Sequence, residues 1–149
     1  MEYRNITDRG VKKPIENTVN VQNKLLKKNI DDLARLGVDI NSSRFKDMDV
    51  ESNKIMQAYI KEIVGFLEGY DFKRLDQRLA NVQWQAAKAT VLDMDEKSKE
   101  LGINSISKLL GDILKDVKKR NDVGARQSLS LINKKRNSIL TKLGRNKTK

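Results

Sequence analysis

The chain contains no cysteine and no histidine, and it has a single proline in 149 residues. The absence of cysteine excludes disulfides, thiolate nucleophiles and sulfur-ligated metals. The absence of histidine removes the side chain that most often acts as a general base near neutral pH or as a transition-metal ligand. Any enzyme chemistry would have to use Ser, Lys, Asp or Glu, and we expect a binding protein without catalytic residues, cofactor or metal.

Long apolar segments are also missing. The longest uncharged apolar run covers the five residues 63–67, whereas a membrane-spanning helix needs about 18. The N-terminus has no apolar segment behind its charged residues, so it does not fit a secretory signal peptide. We therefore expect no membrane span and a cytoplasmic location.

The acidic clusters at residues 47–51 and 93–96 do not fit a calcium-binding loop. Such a loop needs Gly at its sixth position. Counted from Asp47 that position holds Ser52, and counted from Asp93 it holds Ser98. The phosphate-binding motifs GxGxxG and GxxxxGK[ST] and the nucleophile motif GxSxG are absent as well.

Apolar residues recur at helical spacing along nearly the whole chain. The spacing predicts five helices, over about residues 15–36, 50–67, 72–101 and 106–117, with a last one ending at residue 144. Gly37 is expected to stop the first helix, Asp49 and Asp71 to cap the second and third, and Gly102 to follow the end of the third.

The pattern favours an all-α, up-and-down bundle of four or five helices, because the connections are short and strand patterns are absent. We expect a flexible basic arm at residues 1–14, one domain over residues 15–144 and a basic tail at residues 145–149. The second and third helices are expected to form an antiparallel hairpin. Beyond Ala89, Asp93 and Glu96 take core positions, so the far end of the third helix is expected to leave the bundle.

Positive charge is concentrated at the two ends of the sequence. The net charge is +11, yet residues 31–114 carry 12 basic and 15 acidic side chains. Residues 115–149 carry 12 basic side chains against two acidic ones. This asymmetry predicts an anionic partner. The candidate contacts are Lys115, Lys118, Lys119, Arg120, Arg126, Lys134, Lys135, Arg136, Lys142 and Arg145.

Nucleic acid is the preferred partner, since phosphates bind cations without any reading of bases. No aromatic residue follows Trp84, and no base-reading motif is present, so the expected specificity is low. An acidic protein surface is the second candidate and an anionic membrane surface the third. A further alternative is that these cations only solvate a helix end.

Trp84 provides a separate candidate contact. It lies off the apolar stripe of the third helix, so we expect it to be the most exposed aromatic residue and a contact for a protein partner. Together with apolar positions at the end of that helix, it supports an alternative function as a protein adaptor or an assembly or export chaperone that binds a partner helix.

Two known helical families share features with the segment from Glu68 through Ile139. Its succession of GYDFKRLDQRL, KELGINSISKLL and KKRND resembles flagellar export chaperones, which implies a bundle that binds hydrophobic helices of secreted substrates. The same order of helices also resembles histidine-phosphotransfer bundles. That second resemblance implies no phosphotransfer here, because the chain has no histidine.

Overall fold

The structure is a computed structural model that describes residue 28 and residues 30–49 and 52–144. In this part of the chain it is all-α, without strands, which confirms the predicted helical bundle. The predicted arm, the basic tail and most of the first predicted helix lie outside the described residues. The five helices are α1 (Asn53–Leu67), α2 (Asp71–Ala80), α3 (Trp84–Glu100), α4 (Asn104–Lys118) and α5 (Asp122–Lys142).

The segment before α1 is a short helical stretch over residues 30–35 followed by a folded loop. Gly37 ends this stretch as predicted, with a φ of +78°. A 3-10 turn, Ile40–Ser42, follows, and the Asp39 side chain accepts a hydrogen bond from the Asn41 backbone N–H at 3.0 Å. The loop packs on the connection between α3 and α4, where the Asp39 N–H donates to the Gly102 carbonyl at 2.9 Å.

Two predicted N-caps are wrong. Ser52, not Asp49, precedes α1, and Tyr70, not Asp71, precedes α2. Ser and Asp are similarly favourable N-caps, so local preference does not choose between Asp49 and Ser52. Neither Ser52 nor Tyr70 makes a side-chain capping hydrogen bond. Asp71 lies instead in the first turn of α2, where its carboxylate pairs with Lys97 of α3 at 3.2 Å.

The apolar stripe of α1 faces the core as predicted. Met56, Tyr59, Ile63 and Leu67 are each at most 1% exposed. Burial of each such side chain contributes roughly 1.5–3 kcal/mol to folding. The Tyr59 hydroxyl donates a hydrogen bond to the Leu101 carbonyl at 2.6 Å, which satisfies its buried polar end and ties α1 to the end of α3.

The predicted long third helix is in fact two helices. The chain breaks at residues 81–83, between α2 and α3, and Val82 adopts a φ of +50°. No glycine or proline marks this break, and valine is a poor residue for a left-handed conformation. The apolar period continues through the break, so the sequence pattern predicted one helix.

Three connections of the bundle share one geometry. Residues 81–83, 101–103 and 119–121 each have a middle residue of positive φ, and these residues are Val82, Gly102 and Arg120. In each corner the N–H of the third residue donates back across the last helical turn, at 2.8–2.9 Å. This is the Schellman pattern, which satisfies the carbonyls at the end of a helix and reverses the chain within three residues.

Two packing expectations are also wrong. The main contacts of α2 are with α3 and α5, and those of α1 are with α5, so α1 does not form the predicted hairpin with either α2 or α3, which replace the predicted third helix. The far end of α3 stays in the bundle, since Val91, Met94 and Ser98 are buried against α4. The break at residues 81–83 rotates the core face of α3, which directs Asp93 and Glu96 to solvent.

None of the helices in the described part of the chain combines the length and apolarity that crossing a bilayer requires.

Candidate functional site

The basic residues at the end of α4 form a compact exposed group. Lys115 and Lys118 lie on the last turn of α4, and Lys119 and Arg120 lie in the corner that follows. All four side chains belong to exposed residues. Among the described residues, none of the four forms an ion pair. Their charge is therefore available to an anion, and only Asp116 and Asp122 lie next to them in sequence.

The basic residues of α5 do not form one stripe. A helix turns by about 100° per residue, so Arg126 and Lys135 point in opposite directions, about 180° apart. Nη2 of Arg126 lies 3.9 Å from Oδ1 of Asp76, and Nζ of Lys142 lies 3.9 Å from Oδ2 of the buried Asp32. Lys134 is exposed and directed away from the core. The predicted contact Arg145 lies outside the described residues.

Arg136 is an internal contact of the bundle. Its Nε and Nη2 donate to the Leu67 carbonyl at 3.0 and 2.6 Å, and its guanidinium carbon lies 4.0 Å from the centroid of the Phe72 ring. Burial lowers the pKa of Arg136, although a guanidinium stays charged in proteins. The apolar spacing of α5 predicts a buried residue at position 136. This spacing was the feature of the sequence that indicated a structural role for Arg136.

Trp84 lies beside part of the basic group. It is the first residue of α3, and the three-residue corners bring this end of α3 next to the end of α4. The two ends enclose a small cleft of about 190 Å³, here called the Trp84 cleft. Its lining residues are Trp84, Gln85, Lys88, Val117, Lys118 and Arg120.

The exposure of Trp84 differs from the prediction. Its side chain is partly buried and packs against the core, whereas Tyr70 is 52% exposed and is the most exposed aromatic residue among those described. Trp84 and the basic end of α4 are distant in sequence and were separate candidates. In the structure they lie side by side.

Lys88 was missed by the sequence analysis. It lies 30 positions before Lys118, in a stretch where acidic and basic residues balance, and no local pattern distinguishes it. It lies one helical turn after Trp84, on the same side of α3. Only the antiparallel packing of α3 on α4 places it across the cleft from Lys118.

A larger open groove runs between α2 and α5. Its volume is about 850 Å³, and its charged lining residues are Lys73, Asp76, Asp122, Arg126 and Arg136. Asp76 and Asp122 are both exposed. Because carboxylates that catalyse proton transfer are tuned by burial, this solvated pair gives no specific indication of catalysis. Among the described residues, no cluster of three or more acidic side chains is placed to hold a metal ion.

Comparison with known proteins adds no family to this description. No protein-family model matches the chain, and the searches of curated proteins and of solved structures found no significant match. The two resemblances drawn from the order of helices thus have no further support.

Proposed function

We propose that this protein binds nucleic acid with little sequence preference, and that the main contact is the basic group Lys115, Lys118, Lys119 and Arg120. The observation that carries the proposal is that these four adjacent cations are exposed and free of ion pairs with the described residues. Lys88 extends the group across the end of α3.

Phosphate chemistry explains the low specificity. Each cation that neutralises a phosphate releases condensed counterions, and this supplies affinity without contact to a base. Lysines are point charges that tolerate many phosphate positions. We find no base-reading motif that would add sequence recognition.

The alternative function as an adaptor has less support. It depended on apolar positions left uncovered at the far end of the third predicted helix and around Trp84, but Val91 and Met94 are buried and Trp84 is partly buried against the core. Leu92, at 48% exposure, is the one large apolar side chain of α3 that is strongly exposed. Single exposed apolar residues are normal on protein surfaces.

The test is fluorescence anisotropy with labelled oligonucleotides over a range of salt concentrations. Four phosphate contacts predict that affinity falls roughly 50-fold for single strands and 150-fold for duplexes between about 50 and 200 mM salt. Substitution of all four cations by Gln should remove most of this binding and flatten its salt dependence.

A matched control removes the same charge elsewhere. Lys28, Lys46, Lys54 and Lys61 are exposed and lie before or on α1, which packs on the far half of α5. Their replacement by Gln should change affinity much less than replacement of the basic group. Equal losses from both sets would overturn the proposed contact, and an absence of binding at low salt would overturn the function.

A further inference from the structure

The size of the Trp84 cleft limits what it can hold. At about 190 Å³ it is smaller than the roughly 300–1,000 Å³ of pockets that enclose cofactors and other small molecules. Both walls of the cleft are nevertheless helix ends, the start of α3 and the end of α4, and each adjoins a three-residue corner. A single planar group entering from outside fits this space better than a complete small-molecule ligand.

The lining combines one aromatic ring with three cations. Trp84 packs against the core, and Lys88, Lys118 and Arg120 line the cleft with it. Proteins that bind single-stranded nucleic acid use this combination, in which an aromatic side chain stacks on a base and cations follow the backbone. Gln85 adds an amide that can donate to or accept from a polar edge.

We propose that the Trp84 cleft receives one unpaired base of a single-stranded nucleic acid, which stacks on the indole while Lys88, Lys118 and Arg120 contact the adjoining phosphates. The inference rests on the proposed function and adds the substrate class. In a duplex the bases are already stacked and paired, so a base could enter the cleft only after it is unpaired and unstacked, which costs free energy. Single strands are therefore the preferred ligand.

The sole tryptophan of the chain provides a direct measurement. Because Trp84 is the only indole, its fluorescence reports on the cleft alone. We expect a single-stranded deoxythymidine oligonucleotide to quench this fluorescence with the same midpoint as its anisotropy titration. A duplex of equal phosphate number should bind more weakly and leave the fluorescence nearly unchanged.

Substitutions test the contribution of the ring. Trp84→Leu keeps an apolar side chain against the core but removes the stacking face, and single-strand affinity should fall roughly 5- to 150-fold with duplex affinity unchanged. Trp84→Phe keeps an aromatic ring and should stay within about threefold of the original protein. Tyr70→Leu is the matched control, since Tyr70 is exposed, has Lys73 and Arg74 beside its ring and lies at the opposite end of α2.

The outcomes separate the two proposals. Single-strand binding without quenching, together with unchanged affinity in Trp84→Leu, would overturn base stacking and leave the phosphate contact intact. Absence of binding by either nucleic acid would overturn both. If Trp84→Leu fails to fold by circular dichroism, quenching in the original protein decides the question.

Discussion

Arg136 closes the end of α1 by donating two hydrogen bonds to the carbonyl oxygen of Leu67, at 3.0 and 2.6 Å. Leu67 is the last residue of α1, and carbonyls at this end of a helix lack partners within the helix. A cation there also complements the negative end of the helix dipole. Since the guanidinium stacks on Phe72 of α2, one side chain connects α1, α2 and α5.

Loss of this contact should destabilise the fold. Arg136→Met retains the apolar stem but leaves the Leu67 carbonyl without these donors, and the free energy of unfolding should fall by about 2–3 kcal/mol. Arg136→Lys keeps the charge without the two-pronged geometry and should lose about 1 kcal/mol. Urea unfolding followed by circular dichroism measures both. Lys134→Met, at an exposed position of α5, is the control, and a comparable loss there would refute the assigned role.

Arg120 is expected to lower the stability of the fold through its backbone conformation while it adds a positive charge to the basic group. Its φ of +57° is a left-handed conformation that favours glycine. Arg120→Gly should therefore raise the free energy of unfolding by about 1 kcal/mol while it weakens oligonucleotide binding. Val82→Gly, at the equivalent position of another corner, should stabilise similarly without loss of a cation. Thermal melts and anisotropy of the two variants measure these effects, and weaker binding in both would show that backbone freedom, not charge, matters.

Two glycines should respond to alanine in opposite ways. A Cβ at Gly102 would clash with the Asp39 backbone carbonyl, and the φ of +71° is unfavourable for alanine, so Gly102→Ala should cost more than about 2 kcal/mol. A Cβ at Gly111, within α4, meets nothing within 4 Å outside its chain neighbours and the backbone of its own helix. Gly111→Ala should therefore stabilise the helix by about 0.5–1 kcal/mol. Chemical denaturation distinguishes the two, and destabilisation by Gly111→Ala would contradict the open space seen at that position.

Stability should decline at alkaline pH partly because of Tyr59. Burial raises the pKa of the Tyr59 hydroxyl above its ordinary value of about 10. Above that pH the unfolded chain releases a proton that the folded chain retains, so the free energy of unfolding falls as pH rises. At neutral pH, Tyr59→Phe should cost about 1 kcal/mol, because the bond to the Leu101 carbonyl is lost.

The same variant isolates the alkaline effect from the ionisation of lysines. Urea unfolding at pH 8 and pH 11 should show a smaller decrease for Tyr59→Phe than for the original protein. Parallel decreases would mean that Tyr59 is not the group responsible.

Much of the fold was predictable from residue spacing. The stripe of α1, the stop at Gly37 and the turn at Gly102 follow from helical periodicity and from the conformational freedom of glycine. The corners at Val82 and Arg120 have the same geometry as the one at Gly102 but lack its residue. The glycine at residue 102 and the polar residues around Arg120 each mark a helix end in the sequence, whereas the corner at Val82 has neither signal, so the break before Trp84 was missed.

The candidate site, like the fold, was predictable from the sequence only in part. The sequence by itself determined that the charge excess lies in residues 115–149 and that cysteine and histidine chemistry is excluded. Charge content along a chain does not specify which side of a helix each residue occupies, or which neighbour covers it.

Tertiary structure decided that Arg136 forms an internal contact with the Leu67 carbonyl and that the cations of α5 point in different directions. It also brought Lys88 and Trp84 of α3 beside Lys118 of α4. The physical reason is that these positions are set by the burial of apolar faces of helices that are distant in sequence, and local propensity carries no information about that packing.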